Sequence, residues 1–596
     1  MYILGISCWY HDSAAALIKD GKIVACSEEE RFTRKKHDFD FPINSINFCL
    51  TTAGIESADL DYVVFYDKPL LKFDRILVSI LRNVPNSLGV FREAVPLWLK
   101  EKLKFRKKVK KTLGIKEDKV LFCTHHHAHA ASSFFLSPFE ESAILTLDGV
   151  GEWATATLGR GKANRIDMLS ELQFPHSLGL FYSAFTAFLG FKINNGEYKV
   201  MGMAPYGKPK YTDKVYKVIK VSEDGSIELN LDYFSFQYSV KHTYGKKFIE
   251  LFGEPRKPDS YFFTKTSEFP SYLTEKPVDY EEQAEKNQYY ADVAASAQQV
   301  LEETLEKMLK NLKAITGLEN LCYSGGVALN SKANYLLVNG GVFKDVYIQP
   351  AATDAGGAVG AALWCWCEVL GNKREEVMEH TYWGKGFSSE DISNALVRRD
   401  LKYEKLDDKA LYDRVSDHII SGKVIGWYQG RTEWGPRALG NRSILADPRD
   451  QKMKDRVNTI IKFREPFRPF APAILEDEVD NYVERGREKY LDRFMLVTYP
   501  VKEDKKKVIP AVTHFNGTSR IQSVHRDMNE RYWGVINKFR EKTGVGVLLN
   551  TSFNLKGEPI VNSPEDALNT YLSSGIDVLV MENFITTKES KNEKDR

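Results

Sequence analysis

A pattern that occurs twice, about 140 residues apart, limits what this chain can fold into more than any other feature. Residues 2–7 are apolar and β-prone, and a polar turn, Cys8-Trp-Tyr-His-Asp12, follows them. Residues 13–19 read as a second strand, Asp20-Gly21 is a hairpin signal, and residues 22–26 read as a third strand. Residues 143–147 repeat the opening strand and end in Asp148-Gly-Val-Gly151. Residues 154–158 pair back, and Gly159-Arg-Gly161 is expected to turn the chain again. The repeat predicts two similar α/β halves around a cleft. A carboxylate at the C-terminal end of a strand, followed by glycines, is placed to meet a ligand in an open α/β sheet.

Between the two hairpins lies Thr124-His-His-His-Ala-His-Ala130, which follows an apolar run over residues 119–123 and leads into a helix expected over residues 128–136. His125 and His129 are four apart, so on a helix both imidazoles share one face and can reach one ion. Four of the chain's 12 histidines fall within five residues, which points to a metal or phosphate site. A basic stretch from Lys100 to Lys111 reads as a solvated helix face with no assigned role.

Downstream, residues 178–190 read as an aromatic-rich core helix, and Asn195 to Gly207 as a glycine-punctuated loop in which Glu197 and Lys199 are candidates for the acceptor side. Residues 225–275 are aromatic, polar and irregular, and are expected to cover the cleft. After a long amphipathic helix over residues 284–312, residues 321–330 read as strand, Ser-Gly-Gly turn and helix. Ser324, Gly325, Gly326 and Asn330 are the nucleotide-side candidates there, because glycines at a strand-to-helix turn let a ligand approach the backbone. Asp354 opens a small-residue helix. His125, His129, Asp148 and Asp354 together offer two imidazoles and two carboxylates, a set suited to Fe(II), Mn(II) or Zn(II). Cys365 and Cys367 read as core residues of an apolar helix.

Residues 371–395 turn charged and glycine-rich and are taken as a linker between a first domain, 1–370, and a second, 396–590. In the second, a strand at residues 424–429 leads into a loop dense in glycine and arginine, residues 430–443, with Arg449, Lys462, Arg464 and Arg468 after it and Arg520 in a polar turn that starts at His514. Arginine forks match phosphate oxygens. The chain as a whole is only +2, so this local excess implies a specific polyanionic ligand and not a general pull toward nucleic acid or membrane. Asn550 and Ser552 stand at the end of a strand where a ligand could meet them. The last residues, 588–596, read as a charged, frayed tail. No apolar run approaches the roughly 20 residues that span a bilayer. Seven irregularly spaced cysteines fit a reducing cytoplasm.

The opening hairpins resemble those of the actin-like, sugar-kinase-like ATPases. His11-Asp-Ser-Ala-Ala15, Glu28-Glu-Glu-Arg-Phe32, the histidine cluster, residues 195–205 and Trp434-Gly-Pro-Arg-Ala-Leu-Gly-Asn-Arg-Ser443 resemble, in one order along nearly the whole chain, the O-carbamoyltransferases. The resemblance implies an actin-like (ASKHA) two-lobed α/β domain followed by a smaller YrdC-like α/β domain. It implies that carbamoyl phosphate and ATP, with Mg, give carbamoyl adenylate in the YrdC-like domain, at Arg437, Lys462, Arg468, Arg520, Asn550 and Ser552. The large domain then passes the carbamoyl group to a hydroxyl, beside an Fe(II) site matching His125, His129, Asp148 and Asp354. His11 matches a residue near the transferred group; with Asp12 it forms the candidate catalytic pair. His127 stands where relatives often have an apolar residue, so whether His125, His126 or His127 ligates stays open. The expected partners are a small-molecule hydroxyl acceptor and a second copy of the chain, with no nucleic acid and no membrane. A threonylcarbamoyl-type transferase acting on tRNA is the alternative; near-zero net charge and no basic stripe speak against it.

Overall fold

The computed structural model describes residues 1–267, 269, 275–465, 467–487 and 490–588; the expected frayed tail beyond Lys588 lies outside the described residues. The chain divides into two compact units. The first comprises Met1–Glu29, Asp38–Ser267 and Glu281–Met378; the second comprises Glu30–His37, the described part of Glu268–Tyr280, and Glu379 to Lys588.

The first unit contains two five-stranded sheets with one topology. Strands β1 (Tyr2–Ser7), β2 (Ala14–Lys19), β3 (Lys22–Glu28), β4 (Tyr62–Phe65) and β5 (Val120–Phe122) run in the order β3-β2-β1-β4-β5. Strands β6 (Glu141–Leu147), β7 (Ala154–Lys162) and β8 (Arg165–Gln173) precede a small hairpin, β9 (Ile219–Val221) with β10 (Ile227–Leu229). Strands β11 (Asn320–Ser324) and β12 (Asp345–Ile348) complete the second large sheet, in the order β12-β11-β6-β7-β8. In each, a central strand pairs antiparallel with the next strand of its hairpin and parallel with a strand reached by a crossover. This duplication is the actin-like arrangement that the repeated hairpins predict. Asp20 and Gly21 both take positive φ and close the first hairpin between Lys19 and Lys22.

The second hairpin differs from expectation. Gly159 and Gly161 do not turn the chain; they lie inside β7, and the turn comes at Ala163, with φ 52°. Gly161 is there for close approach, since a Cβ would sit 2.5 Å from the Phe134 ring. Residues 195–207 are likewise not a loop throughout: Glu197–Met203 form a helix, and Ala204–Tyr206 a 3-10 turn. The segment after β11 is a single 3-10 turn, Gly326–Leu329, too short to carry a helix dipole of consequence. Residues 225–267 are not a loose cover: Phe234, Phe248 and Phe252 pack on one another and against Phe185 and Phe188 of helix Leu178–Phe188. Residues 270–274 of that stretch lie outside the described residues.

The second unit is built on a mixed eight-stranded sheet. Its strands are β13 (Glu404–Lys405), β14 (Ile425–Tyr428), β15 (Arg442–Ala446), β16 (Ala471–Leu475), β19 (Gln522–Val524), β20 (Val547–Ser552), β21 (Val578–Met581) and β22 (Phe584–Thr587). They run in the order β13-β22-β21-β14-β15-β20-β16-β19; β17 (Tyr499–Pro500) and β18 (Thr518–Ser519) pair separately. The short N-terminal segment belongs here because of two arginines. Arg31 donates to the Gly435 carbonyl at 2.8 Å, and Arg34 to those of Ile560 and Pro559 at 2.7 and 2.9 Å.

Candidate functional site

In the first unit the histidine helix, His125–Phe134, starts at the end of β5 and packs closely on helix Asp354–Trp364. The small-residue face of the latter makes this possible: a Cβ on Gly360 would lie 1.9 Å from the Ala128 carbonyl oxygen. Close packing brings Asp354 to His125 and His129, and the end of β6 supplies Asp148. One ligand atom from each of these four buried residues lies within 4.8 Å of every other. His125 Nε2 is 2.9 Å from Asp148 Oδ2; His129 Nε2 is 3.7 Å from both Asp148 Oδ2 and Asp354 Oδ1.

Electrostatics say what the cluster lacks. Burial raises Asp148, but the His125 hydrogen bond and the neighbouring His129 imidazole outweigh it and hold the carboxyl well below its usual range. Asp354 is also lowered, against burial, by His11 and His125. His129 is pushed down by burial yet raised to about 9 by both carboxylates. Two buried carboxylates thus draw a proton onto an imidazole, the charge that a divalent cation would supply instead. His129 Nε2 and Asp354 Oδ1 have no hydrogen-bond partner among the described residues, which fits a chelate.

The adjacent histidines separate cleanly. His126 hydrogen-bonds Thr146 Oγ1 at 2.6 Å and the Ala154 carbonyl at 2.9 Å; burial, with His125 and His129 nearby, pulls it down to about 3. His127 faces Glu368 at 3.0 Å. Around the four residues stand Gly326, expected from its glycine turn, and two residues that sequence reasoning missed, Tyr66 and Glu152. The Tyr66 hydroxyl donates to Asp354 Oδ2 at 2.9 Å, the Gly326 N–H donates to Asp148 Oδ1 at 3.1 Å, and the His125 N–H donates to Glu152 at 3.0 Å. Tyr66 ends an apolar strand beside Asp67, the one hint available in the chain.

His11 Nδ1 lies 3.1 Å from Asp12 Oδ2. Burial pushes His11 down, but Asp354 and Asp12 outweigh it and raise it to about 10. Ser324 donates to the His129 carbonyl at 2.7 Å, and Asn330 exchanges amide hydrogen bonds with Gln298 at 3.0 and 3.1 Å. Of this loop, the backbone at Gly325 and Gly326 is what borders the chelate. Glu197 accepts from Ser183 and from the Asn194 N–H.

The second unit gathers the basic residues, but selectively. Arg431 donates to the carbonyls of Gly384 and Trp383, and Arg442 lies buried over the Tyr428 ring, donating to the carbonyls of Gln429 and Gly430. Arg449 forks onto Asp447. These three hold the fold. Arg437, Arg464 and Arg468 lie around Arg520, with Arg464 also donating to Asn458 Oδ1 at 2.7 Å: burial, and then repulsion from these three, pulls Arg520 well below the usual arginine range. Its Nε has no hydrogen-bond partner among the described residues. Arg468 pairs with Glu465 at 3.6 Å. Lys462 is buried, donating to Asn554 Oδ1 at 2.7 Å and to the carbonyls of Ser552 and Asn554; burial, with Arg464 and Arg468, pulls it down too. His514 is drawn down to about 3 by burial and by Arg520. The Asn550 amide donates to the Ala438 carbonyl and to Gln522, and its Oδ1 is unpartnered among the described residues. A buried guanidinium with cations as neighbours is a place where a polyanion's oxygens bind favourably.

The carbamoyltransferase N-terminus family model matches residues 2–363, and the carbamoyltransferase C-terminus model matches residues 416–588. The chain belongs to the carbamoyltransferase family. This carbamoyltransferase is 43% identical to an uncharacterized protein of Synechocystis, over 100% of its own length and 98% of the relative's. It is 36% identical to the nodulation protein NolNO of Sinorhizobium fredii, over 98% of its own length and 80% of the relative's. Among solved structures it overlays on HypF of T. kodakarensis with a TM-score of 0.31 and 16% identity, over 62% of this chain and 48% of that one. No helix of the carbamoyltransferase, among the described residues, is long and apolar enough to cross a membrane.

Proposed function

We propose that the protein is an ATP-dependent O-carbamoyltransferase that works by two half-reactions, one in each unit. In the second, YrdC-like unit, carbamoyl phosphate and MgATP give carbamoyl adenylate. Carbamoyl phosphate loses phosphate to water, a carbamate oxygen attacks the α-phosphorus of ATP, and pyrophosphate leaves. In the first unit, an acceptor hydroxyl oxygen attacks the carbamoyl carbon and AMP departs with the bonding pair, leaving the acceptor as its carbamate ester. The observation that supports this reading is the match of the two carbamoyltransferase family models to residues 2–363 and 416–588, with the buried Arg520 and Lys462 in the second of these segments suited to phosphate oxygens.

In the first unit, His125, His129, Asp148 and Asp354 would hold a divalent first-row ion, Fe(II) in the leading case. Such an ion, when bound, supplies Lewis-acid stabilisation of charge on the adenylate. The chain's own contribution is the glycine-lined backbone at Gly325 and Gly326 and the His11–Asp12 pair, which receives the hydroxyl proton. The acceptor is a small-molecule alcohol, a sugar or natural product. Seven free, buried thiols fit a reducing, cytoplasmic setting.

The test is product analysis with metal-loaded protein, ATP, carbamoyl phosphate and candidate alcohols. AMP, pyrophosphate and an alcohol heavier by one carbamoyl group are expected; no AMP in active preparations sinks the proposal. Arg468→Ala is expected to stop adenylate formation and to leave transfer from supplied carbamoyl adenylate intact. Loss of both would refute the division of labour.

A further inference from the structure

The helix pair between β4 and β5 carries a surface that neither half-reaction uses. Helix Pro69–Arg82 packs against helix Leu88–Lys100, with Phe73 and Trp98 stacked at 6.0 Å between them. Inward, the first helix is polar: Lys72 bonds Asp67, and Arg75 lies over the Phe174 ring, both buried. Outward, it presents three leucines together with Asp74 and Arg82. Leu70 and Leu81 are each 73% exposed, and Leu71 is 46% exposed. On the second helix Leu88, Phe91 and Leu99 fall on one face and, with Leu97, are exposed; Val84 is exposed in the connecting turn. Eight of the 25 exposed large apolar side chains among the described residues therefore lie between Leu70 and Leu99. A concentration of that kind marks a surface that meets something apolar.

Charge selects the occupant. From Lys68 to Lys111 the chain has 13 lysines and arginines against three acidic residues, although the whole chain is only +2. The remainder of the molecule is thus net acidic, and although Lys72 and Arg75 are buried, the excess lies in the same stretch of chain as the exposed leucines, with Arg82, Arg92, Lys100, Lys104 and Lys107 among its exposed members. Helix Phe105–Leu113 exposes most of the basic run that the sequence alone leaves as a solvated face. Exposed leucine and phenylalanine next to lysine and arginine are the two components of binding to an anionic lipid surface. A second copy using the same face would bring one strongly basic surface against another.

We propose that this helix pair seats the first unit on an anionic bilayer surface. Leu70, Leu81, Leu88 and Phe91 enter the boundary between headgroups and acyl chains, and Lys104, Lys107 and Lys108 lie over lipid phosphates. The contact is peripheral, since no described helix can span a bilayer. Helix Pro69–Arg82 starts at Lys68, whose N–H donates to Glu152, the residue that also accepts from His125, so the seated surface adjoins the chelate's own supports.

The experiment is flotation of the full chain with phosphatidylcholine vesicles, with and without phosphatidylglycerol, at low and high salt, alongside light scattering. Expected is flotation with anionic vesicles only, weakened by salt, and weakened at least about tenfold in Lys107→Glu/Lys108→Glu and in Leu81→Glu/Phe91→Glu. All four side chains are exposed, so both variants should fold; the wild-type salt series decides even if one does not. No flotation of the wild type, or equal flotation with neutral vesicles, overturns the proposal. So does a wild-type dimer that Leu81→Glu/Phe91→Glu converts to monomer, which would assign the face to a second copy. None of these outcomes depends on ATP or carbamoyl phosphate, so the surface can fail while the carbamoyl chemistry stands.

Discussion

Replacing Tyr66 by Phe removes one oxygen from the interior and tests how the chelate is held. Tyr66 is fully buried, and its hydroxyl donates to Asp354 Oδ2 at 2.9 Å. Burial, with Asp354 and Asp67 nearby, raises the phenol well above its usual range, so it remains a donor. The phenyl ring fills the same space, so no cavity forms. The lost bond does two things. It stabilises the charge on Asp354, with or without a bound ion, and this part cancels from metal affinity. It also points Oδ1 at His125 and His129, and this part does not cancel. Outer-shell partners of this kind are worth about 10- to 100-fold in metal affinity, or about 1.4–2.7 kcal/mol. A hydrogen bond to a charged group is worth about 1.5–3 kcal/mol of folding stability; that part is lost with or without the ion and reads in the melting temperature, not in the affinity. Anaerobic titration with Fe(II) against a chromogenic chelator, and with Zn(II) as a redox-inert substitute, gives the affinity. The variant is expected to bind 10- to 100-fold more weakly, with the ion still held, whereas His125→Ala loses the ion. An affinity unchanged within about twofold would refute this orienting role for the Tyr66 hydroxyl.

His127→Gln should leave metal content at the wild-type level while His129→Gln empties the site, read by elemental analysis of purified protein; equal loss in both would contradict the placement of His127 beside Glu368. Arg520→Met should raise the melting temperature of the ligand-free protein, because a guanidinium repelled by three others is removed. The same variant should lose the thermal shift given by pyrophosphate; a wild-type shift would mean that Arg520 does not face the anion. His514 is drawn down to about 3, below its unfolded value, so the unfolded chain takes up a proton first as pH falls. Its contribution is whole at neutral pH and is lost between about pH 6.5 and 3. Denaturation of His514→Asn across that window should show a shallower fall in stability than the wild type, and an identical slope would deny the burial of a neutral ring there.

What could be foreseen along the chain was whatever short-range geometry encodes. Spacing by four puts His125 and His129 on one helical face. Asp20-Gly21 closes its hairpin, and the two copies of that hairpin open two sheets of one topology. Where short-range patterns misled, packing was the cause: Gly159 and Gly161 look like a turn but serve a close approach to Phe134 and the neighbouring strand. The loop at residues 430–443 looks like one phosphate grip, yet of its arginines only Arg437 faces the cationic cluster, while Arg431 and Arg442 bind backbone carbonyls that would otherwise be buried and unpaired.

The sequence by itself determined the ligand types, the two paired imidazoles and the local cationic excess, because composition and helical period are properties of neighbouring residues. Tertiary structure alone decided that Tyr66 meets Asp354, that His126 bonds Thr146 and stands outside the His125–His129–Asp148–Asp354 cluster, and that residues 30–37 join the second unit. It also decided that Leu70, Leu81, Leu88, Phe91 and Leu99 are exposed and not part of the core. The reason is physical: those contacts link residues far apart in the chain. They are set by which helix faces are small enough to touch, as at Gly360 and Ala128, and no local period carries that information.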